Sequence, residues 1–119
     1  MQISIITHRP EDFTAFAAAL AEKGAQTSLV ATGQAALDQA RQAPPTLAVV
    51  DEALPDMAAF ALVSQLLQVN AFIHTAVATK LSPEAFHEAG EGLGILAALP
   101  MQPSATDAHT LLANLKALV

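Results

Sequence analysis

Short apolar runs alternate along the chain with stretches in which apolar residues recur every three or four positions. A short apolar run between turn residues is typical of a buried strand, and the wider spacing is typical of an amphipathic helix. The runs predict five strands, at residues 3–7, 27–31, 46–51, 72–78 and 93–99. A helix is predicted after each strand, so the chain consists of five strand–helix units.

Capping residues indicate where several of these helices begin and end. Ser82 and Pro83 supply an N-cap and a proline in the first helical turn. Ser104 and Asp107 have the spacing of a capping box for the last helix. Gly24 is placed to end the first helix.

Strands that alternate with helices predict an α/β fold, with a parallel five-stranded sheet and helices on both faces. No linker or repeat interrupts the pattern, so we expect one domain over residues 1–119. In such folds the functional crevice lies beyond the carboxyl ends of the strands. The residues predicted there are Thr7, His8, Thr32, Asp51, Glu52, Thr79, Lys80, Leu99 and Pro100.

Composition and charge exclude several classes of protein. The chain is 53% hydrophobic, has no cysteine and carries a net charge of −6. Its five fixed cations are scattered, so no basic stripe is present for nucleic acid. No apolar run is long enough to span a membrane, and we expect a cytoplasmic protein.

The stretch LAVVDEALPDMAAF, residues 47–60, carries the most specific signal: an aspartate that ends a strand and a Leu-Pro-Asp-Met turn after it. With the five-unit pattern, this stretch resembles the receiver domains of bacterial response regulators, which have the flavodoxin-like, CheY-like doubly wound fold. The resemblance covers essentially the full length. It implies that Asp51 stands at the position of the phosphoacceptor that a histidine kinase phosphorylates.

The resemblance also implies helper groups, and most of them are absent. The two acidic residues that hold Mg²⁺ in the family correspond to Thr7 and His8. Leu99 stands in place of the lysine, before a proline whose peptide bond is usually cis in the family. The family's hydroxyl position aligns with either Ala78 or Thr79. We therefore expect weak Mg²⁺ affinity or none, no metal site and no cofactor.

Two hypotheses concern the surroundings of Asp51. A protonated His8 would pair with Asp51 and replace the metal, although an exposed loop histidine is an equal alternative. Loss of the lysine would also raise the pKa of Asp51 relative to an intact site. Glu11 and Asp12 are candidates to approach Asp51, but acidic residues at a helix N-terminus have a simpler role, which is favourable interaction with the helix dipole.

No other motif predicts an enzyme. The glycines of GEGLG, residues 90–94, precede a strand instead of opening a helix after one, and no serine lies in a nucleophile elbow. The leading interpretation is a pseudo-receiver that acts as a protein-interaction module. A working phosphoacceptor at Asp51 and a small-molecule site in the emptied pocket remain alternatives.

The expected partner is a histidine kinase or a downstream signalling protein. In receivers, the fourth helix, fifth strand and fifth helix form the signalling face, here within residues 84–89, 93–98 and 106–118. Phe86 and Leu118 are candidates for an apolar contact there, with core burial as the alternative. A homodimer through this face is a further expectation.

Overall fold

Five short strands pair in parallel in the order β2-β1-β3-β4-β5, in a computed structural model that describes residues 1–118. The predicted fold class is therefore confirmed. The strands are β1 (Gln2–Ile6), β2 (Gln26–Val30), β3 (Leu47–Asp51), β4 (His74–Ala78) and β5 (Ala97–Leu99). Because β3 lies in the middle of the sheet, all five of its residues are buried, which accounts for the apolar run of its first four residues, before Asp51.

Five α-helices connect and cover the strands: α1 (Thr14–Glu22), α2 (Gly33–Gln42), α3 (Ala59–Val69), α4 (Pro83–Ala89) and α5 (Ala105–Lys116). A 3-10 turn, Pro10–Phe13, precedes α1, so the first helix begins less regularly than the sequence predicts. The other capping predictions are confirmed. The Ser82 hydroxyl accepts the amide of Ala85, and Ser104 forms a complete capping box with Asp107.

Alternate residues of each strand send their side chains to opposite faces of the sheet, where they form two cores. One core packs β1 and β3 against α1 and α5 and includes Phe13 and Phe16. The other packs the sheet against α2 and α3, with Phe86 of α4 at its margin. The two cores hold the strands in register, so the strand ends meet along one edge.

Two predicted strands are shorter than the sequence indicates. β4 begins at His74 instead of residue 72, because a turn at Asn70 leaves Phe72 in solvent, with 88% of its surface exposed. β5 begins at Ala97 instead of residue 93. Gly92 and Gly94 have positive φ angles, which other residues adopt at a cost, and the chain turns there.

Candidate functional site

Asp51 is the last residue of β3 and is fully buried. Ile6 pairs with Val50 in the sheet, so Thr7, the next residue along, stands beside Asp51. The Thr7 hydroxyl donates a hydrogen bond of 2.6 Å to Oδ2 of Asp51. The backbone amide of Ala53 donates to the other carboxylate oxygen, Oδ1, at 2.9 Å. Both oxygens therefore have partners within the chain.

Arg9 supplies the positive charge at this carboxylate. Its Nε and Nη2 atoms lie 3.0 and 2.9 Å from Oδ2 of Asp51. Nη1 donates to Asp12, and Nη2 also donates to the carbonyl oxygen of Met101 at 3.1 Å. The guanidinium lies 5.7 Å from the ring centroid of Phe13, within the range of a cation–π contact. One side chain thus links the loops after β1 and β5 to the end of β3.

The local sequence explains how Arg9 reaches Asp51. Pro10 disfavours helical backbone at the residue before it, and Arg9 has φ −122° and ψ 59°. The amide of Arg9 donates to the Thr7 hydroxyl oxygen at 2.9 Å, which makes the loop turn back over the end of β1. Thr7 therefore bonds both to Asp51 and to the backbone that carries its counterion.

The arrangement keeps Asp51 ionised. Burial raises the pKa of Asp51, but hydrogen bonds from Arg9, Thr7 and Ala53 outweigh burial, and the net pKa lies below its ordinary value. The hydrogen bond to Asp51 is the largest factor that raises the pKa of Arg9. The site is a charge-assisted ion pair with one partner fully buried.

Arg9 decides the outcome of both hypotheses about the surroundings of Asp51. His8 is exposed, which agrees with the alternative of a loop histidine, and the cation paired with Asp51 is its neighbour Arg9. The guanidinium supplies a positive charge beside Asp51, and the pKa of Asp51 lies below its ordinary value. Asp12 binds Arg9 rather than Asp51. The signal available in the sequence was an arginine before a proline, three residues past the end of β1.

Thr79 directly follows the strand residue that pairs with Asp51, but its hydroxyl bonds to a different carboxylate. Ala78 pairs with Asp51, so Thr79 stands one residue past the strand. Its hydroxyl donates to Oε1 of Glu52 at 3.0 Å and accepts the amide of Leu81 at the same distance. Oε2 of Glu52 accepts the amide of Lys80 at 2.9 Å. Glu52 therefore holds the loop between β4 and α4.

Leu99, at the predicted lysine position, is 6% exposed and packs in the core beneath α1 and α5. It brings no charge to the site. The following bond to Pro100 is trans, since residues 1–118 contain no cis peptide bond, and the expected cis bond is not found. Met101, one residue on, contributes its carbonyl to Arg9.

The groups around Asp51 do not fit the Mg²⁺ ion that the fold family implies. A hard divalent cation needs several oxygen ligands. Oδ2 of Asp51 already accepts from Arg9 and Thr7, and Oδ1 accepts from Ala53. Within residues 1–118, no three acidic, histidine or cysteine side chains lie where they would hold a metal ion together.

The rest of the Leu-Pro-Asp-Met turn anchors the loop after β3. Asp56 accepts the amides of Gly33 and Gln34, at 2.9 and 3.0 Å, at the start of α2. These backbone hydrogen bonds, with that of Gly33 the strongest factor, lower the pKa of Asp56. Met57 packs so closely on Gly33 that a Cβ there would lie 2.5 Å from its sulfur. The motif thus has a structural role in this chain.

Solved structures of response regulators have a similar fold. A two-component response regulator from Clostridium difficile has a TM-score of 0.86 at 16% identity, covering 99% of this chain and 98% of its own. The chemotaxis response regulator CheY4 of Vibrio cholerae has a TM-score of 0.80 at 21% identity, covering 99% and 98%. A CheY-like receiver domain protein from Methanospirillum hungatei has a TM-score of 0.80 at 17% identity, covering 98% and 97%.

These similarities define the class of fold: the chain has the CheY-like fold of response regulator receiver domains. No protein-family model and no curated protein sequence matches it. None of the helices within residues 1–118 is both long and apolar enough to cross a membrane.

Proposed function

We propose that this chain is an atypical receiver of two-component signal transduction, which acts as a protein-interaction module without Mg²⁺-dependent phosphoryl switching. The observation that carries the proposal is the ion pair between Arg9 and Asp51. A phosphoryl group on Asp51 would have to displace the guanidinium and expose a fully buried oxygen. Arg9 gives the carboxylate a permanent counterion and removes its need for a metal.

A fixed surface is the second part of the proposal. Loops at both ends of the α4–β5–α5 face are tied to the end of β3. Glu52 binds the backbone of Lys80 ahead of α4, and Arg9 binds the carbonyl of Met101 ahead of α5. Because both contacts are made by the chain's own residues, we expect them to hold the face in one arrangement. A signalling protein that docks there would meet the same surface at all times.

The face itself offers modest apolar contact. Phe86 is half-buried and packs against Phe60 with the rings tilted and their centroids 5.9 Å apart, and Leu81, two residues before α4, is 37% exposed. Partner recognition at this face would therefore depend on shape and polar groups as well as on these two side chains. We propose a histidine kinase or a downstream signalling protein as the partner, and no catalytic activity.

The experiment that tests the proposal is the intact mass of the protein after incubation with acetyl phosphate and Mg²⁺. Asp51→Asn is the matched control. We expect no added phosphoryl group in either protein and no Mg²⁺-dependent change in the amide spectrum around Asp51. A phosphoryl gain in the wild type that Asp51→Asn abolishes would contradict the proposal and establish a working phosphoacceptor.

A further inference from the structure

A cavity of about 320 Å³ lies where α1 and α5 pack against each other. Lys23, the residue that follows α1, lines it together with four residues of α5: His109, Leu112, Ala113 and Lys116. The four residues of α5 recur three and four positions apart, which places their side chains on one face of the helix. We call this space the α1–α5 cavity.

The lining of the α1–α5 cavity is basic in a chain that is acidic. The chain has eleven acidic residues and five fixed cations, and two of those five cations, Lys23 and Lys116, line this cavity with His109. None of the lining residues is acidic. The ion pairs within residues 1–118 are made by Arg9 and Arg41 and leave both lysines of the cavity without a carboxylate partner. The fold therefore concentrates the scarcer charge at one place.

A simpler role accounts for the lysines but not for the whole lining. A positive charge at the C-terminus of a helix is favourable, and Lys23 and Lys116 both lie at such ends. His109 lies in the first half of α5, about two helical turns before Lys116, where no such interaction is available. The three side chains meet only because α1 packs on α5, which is the arrangement of a site for an anion.

We propose that the α1–α5 cavity binds a small phosphate monoester, with the phosphoryl group between the two lysines. Ammonium groups bind phosphoryl oxygens as point charges, and the imidazole of His109 supplies a further N–H donor. A phosphate monoester carries a charge of about −1.5 to −2 at neutral pH, which two lysines neutralise. Leu112, which is 4% exposed, and the methyl group of Ala113 give the organic part of the ligand an apolar floor.

The size of the cavity limits the ligand to a compact molecule, since pockets for small molecules span roughly 300–1,000 Å³. Lys23 precedes β2, so this end of the cavity lies at the edge of the sheet where the strands begin, opposite the edge that holds Asp51. This inference does not depend on the function proposed above.

Titration of the amide spectrum with phenyl phosphate, without Mg²⁺, tests the proposal. We expect saturable shifts at Lys23, His109, Ala113 and Lys116, with a dissociation constant of roughly 0.1–1 mM because the charges are exposed and screened. Inorganic phosphate should bind at least about 3-fold more weakly, since it has no apolar part to bury. Shifts that do not saturate, or that sodium chloride reproduces at equal ionic strength, would overturn the proposal. Equal affinities for the two phosphates would overturn the assignment to a monoester.

Three variants locate the site. Lys116→Gln should raise the dissociation constant about 5- to 10-fold. Ala113→Glu should abolish binding, because Ala113 is exposed and the substitution adds a carboxylate to the cavity while keeping a good helix former. Lys80→Gln is the matched control: it removes the same charge from an exposed lysine before α4 and should leave binding unchanged. A loss of affinity in Lys80→Gln, with none in Lys116→Gln, would overturn the proposal and place the anion at the other edge of the sheet.

Discussion

Nη2 of Arg9 lies 2.9 Å from Oδ2 of Asp51, and the same nitrogen lies 3.1 Å from the carbonyl of Met101. The Asp51 side chain has no exposed surface, whereas 21% of the surface of the Arg9 side chain is exposed. The arginine therefore covers the carboxylate from the solvent side. This relationship determines both the ionisation of Asp51 and the arrangement of the loops above it.

Removal of the guanidinium should destabilise the fold. Arg9→Met leaves the buried carboxylate of Asp51 with only neutral hydrogen-bond donors. Removing one partner of a buried ion pair lowers the free energy of unfolding by about 3–5 kcal/mol. Because Arg9 is partly exposed, we expect a smaller loss of about 2–3 kcal/mol in Arg9→Met. Urea unfolding measures the difference. Arg41→Met is the matched control, because Arg41 and Asp38 are 55% and 61% exposed and such pairs contribute less than about 1 kcal/mol. Equal losses in the two variants would contradict the role assigned to Arg9.

The pKa of Asp51 predicts a loss of stability in acid. Its folded pKa lies below the ordinary value, so its contribution is complete above an unfolded pKa of about 3.9 and is lost as the pH falls through the folded pKa. Asp51→Asn removes this contribution. We expect the free energy of unfolding, measured with urea from about pH 6 to about pH 3, to fall less steeply in Asp51→Asn than in the wild type.

A matched carboxylate separates this effect from general acid unfolding. Asp56→Asn removes an exposed group whose pKa is also lowered. As the pH falls, we expect the free energy of unfolding of Asp56→Asn to follow that of the wild type more closely than the value for Asp51→Asn does. Parallel curves for the wild type and Asp51→Asn would show that Asp51 does not titrate as described.

Glu52 should control the mobility of the loop before α4. Glu52→Ala removes the acceptor for the amide of Lys80 and for the hydroxyl of Thr79. A hydrogen bond to a charged group contributes about 1.5–3 kcal/mol, so exchange of the Lys80 amide with solvent should accelerate at least about 10-fold. Hydrogen exchange followed by NMR measures this rate.

The control for the loop is Glu84→Ala, which removes an exposed acid in the first turn of α4 that has no part in this contact. Amides of β1 and β3 should exchange as in the wild type in both variants. If Glu52→Ala left the Lys80 amide as protected as before, the fixed-surface part of the proposed function would lose its support.

Thr75 offers a site at which a substitution should stabilise the protein. Its side chain is 1% exposed, and its hydroxyl oxygen has no hydrogen-bond partner within residues 1–118. A buried unpaired hydroxyl costs about 1–3 kcal/mol, and valine has nearly the same shape. We expect Thr75→Val to raise the free energy of unfolding by about 1 kcal/mol. Thr75→Ser, which keeps the hydroxyl and loses a methyl group, should lower it.

The sequence by itself determined the order of strands and helices and therefore the fold. The periodicity of apolar residues and the caps at Ser82 and Ser104 are local properties, which depend on neighbours within one helix or strand. The position of Asp51 at a strand end was predictable for the same reason. The boundaries of some elements, such as the start of β5, were less predictable, because Gly92 and Gly94 allow a turn without requiring one.

Only the tertiary structure decided which groups surround Asp51. Arg9 and Asp51 are 42 positions apart, and their contact depends on the pairing of β1 with β3 and on the turn that Pro10 directs. Thr79 was predicted near Asp51, but its hydroxyl bonds to Glu52 because the loop before α4 closes on that residue. Spacing along the chain does not predict which of these contacts form. They depend on side-chain directions at the strand ends, and only the assembled sheet defines those directions.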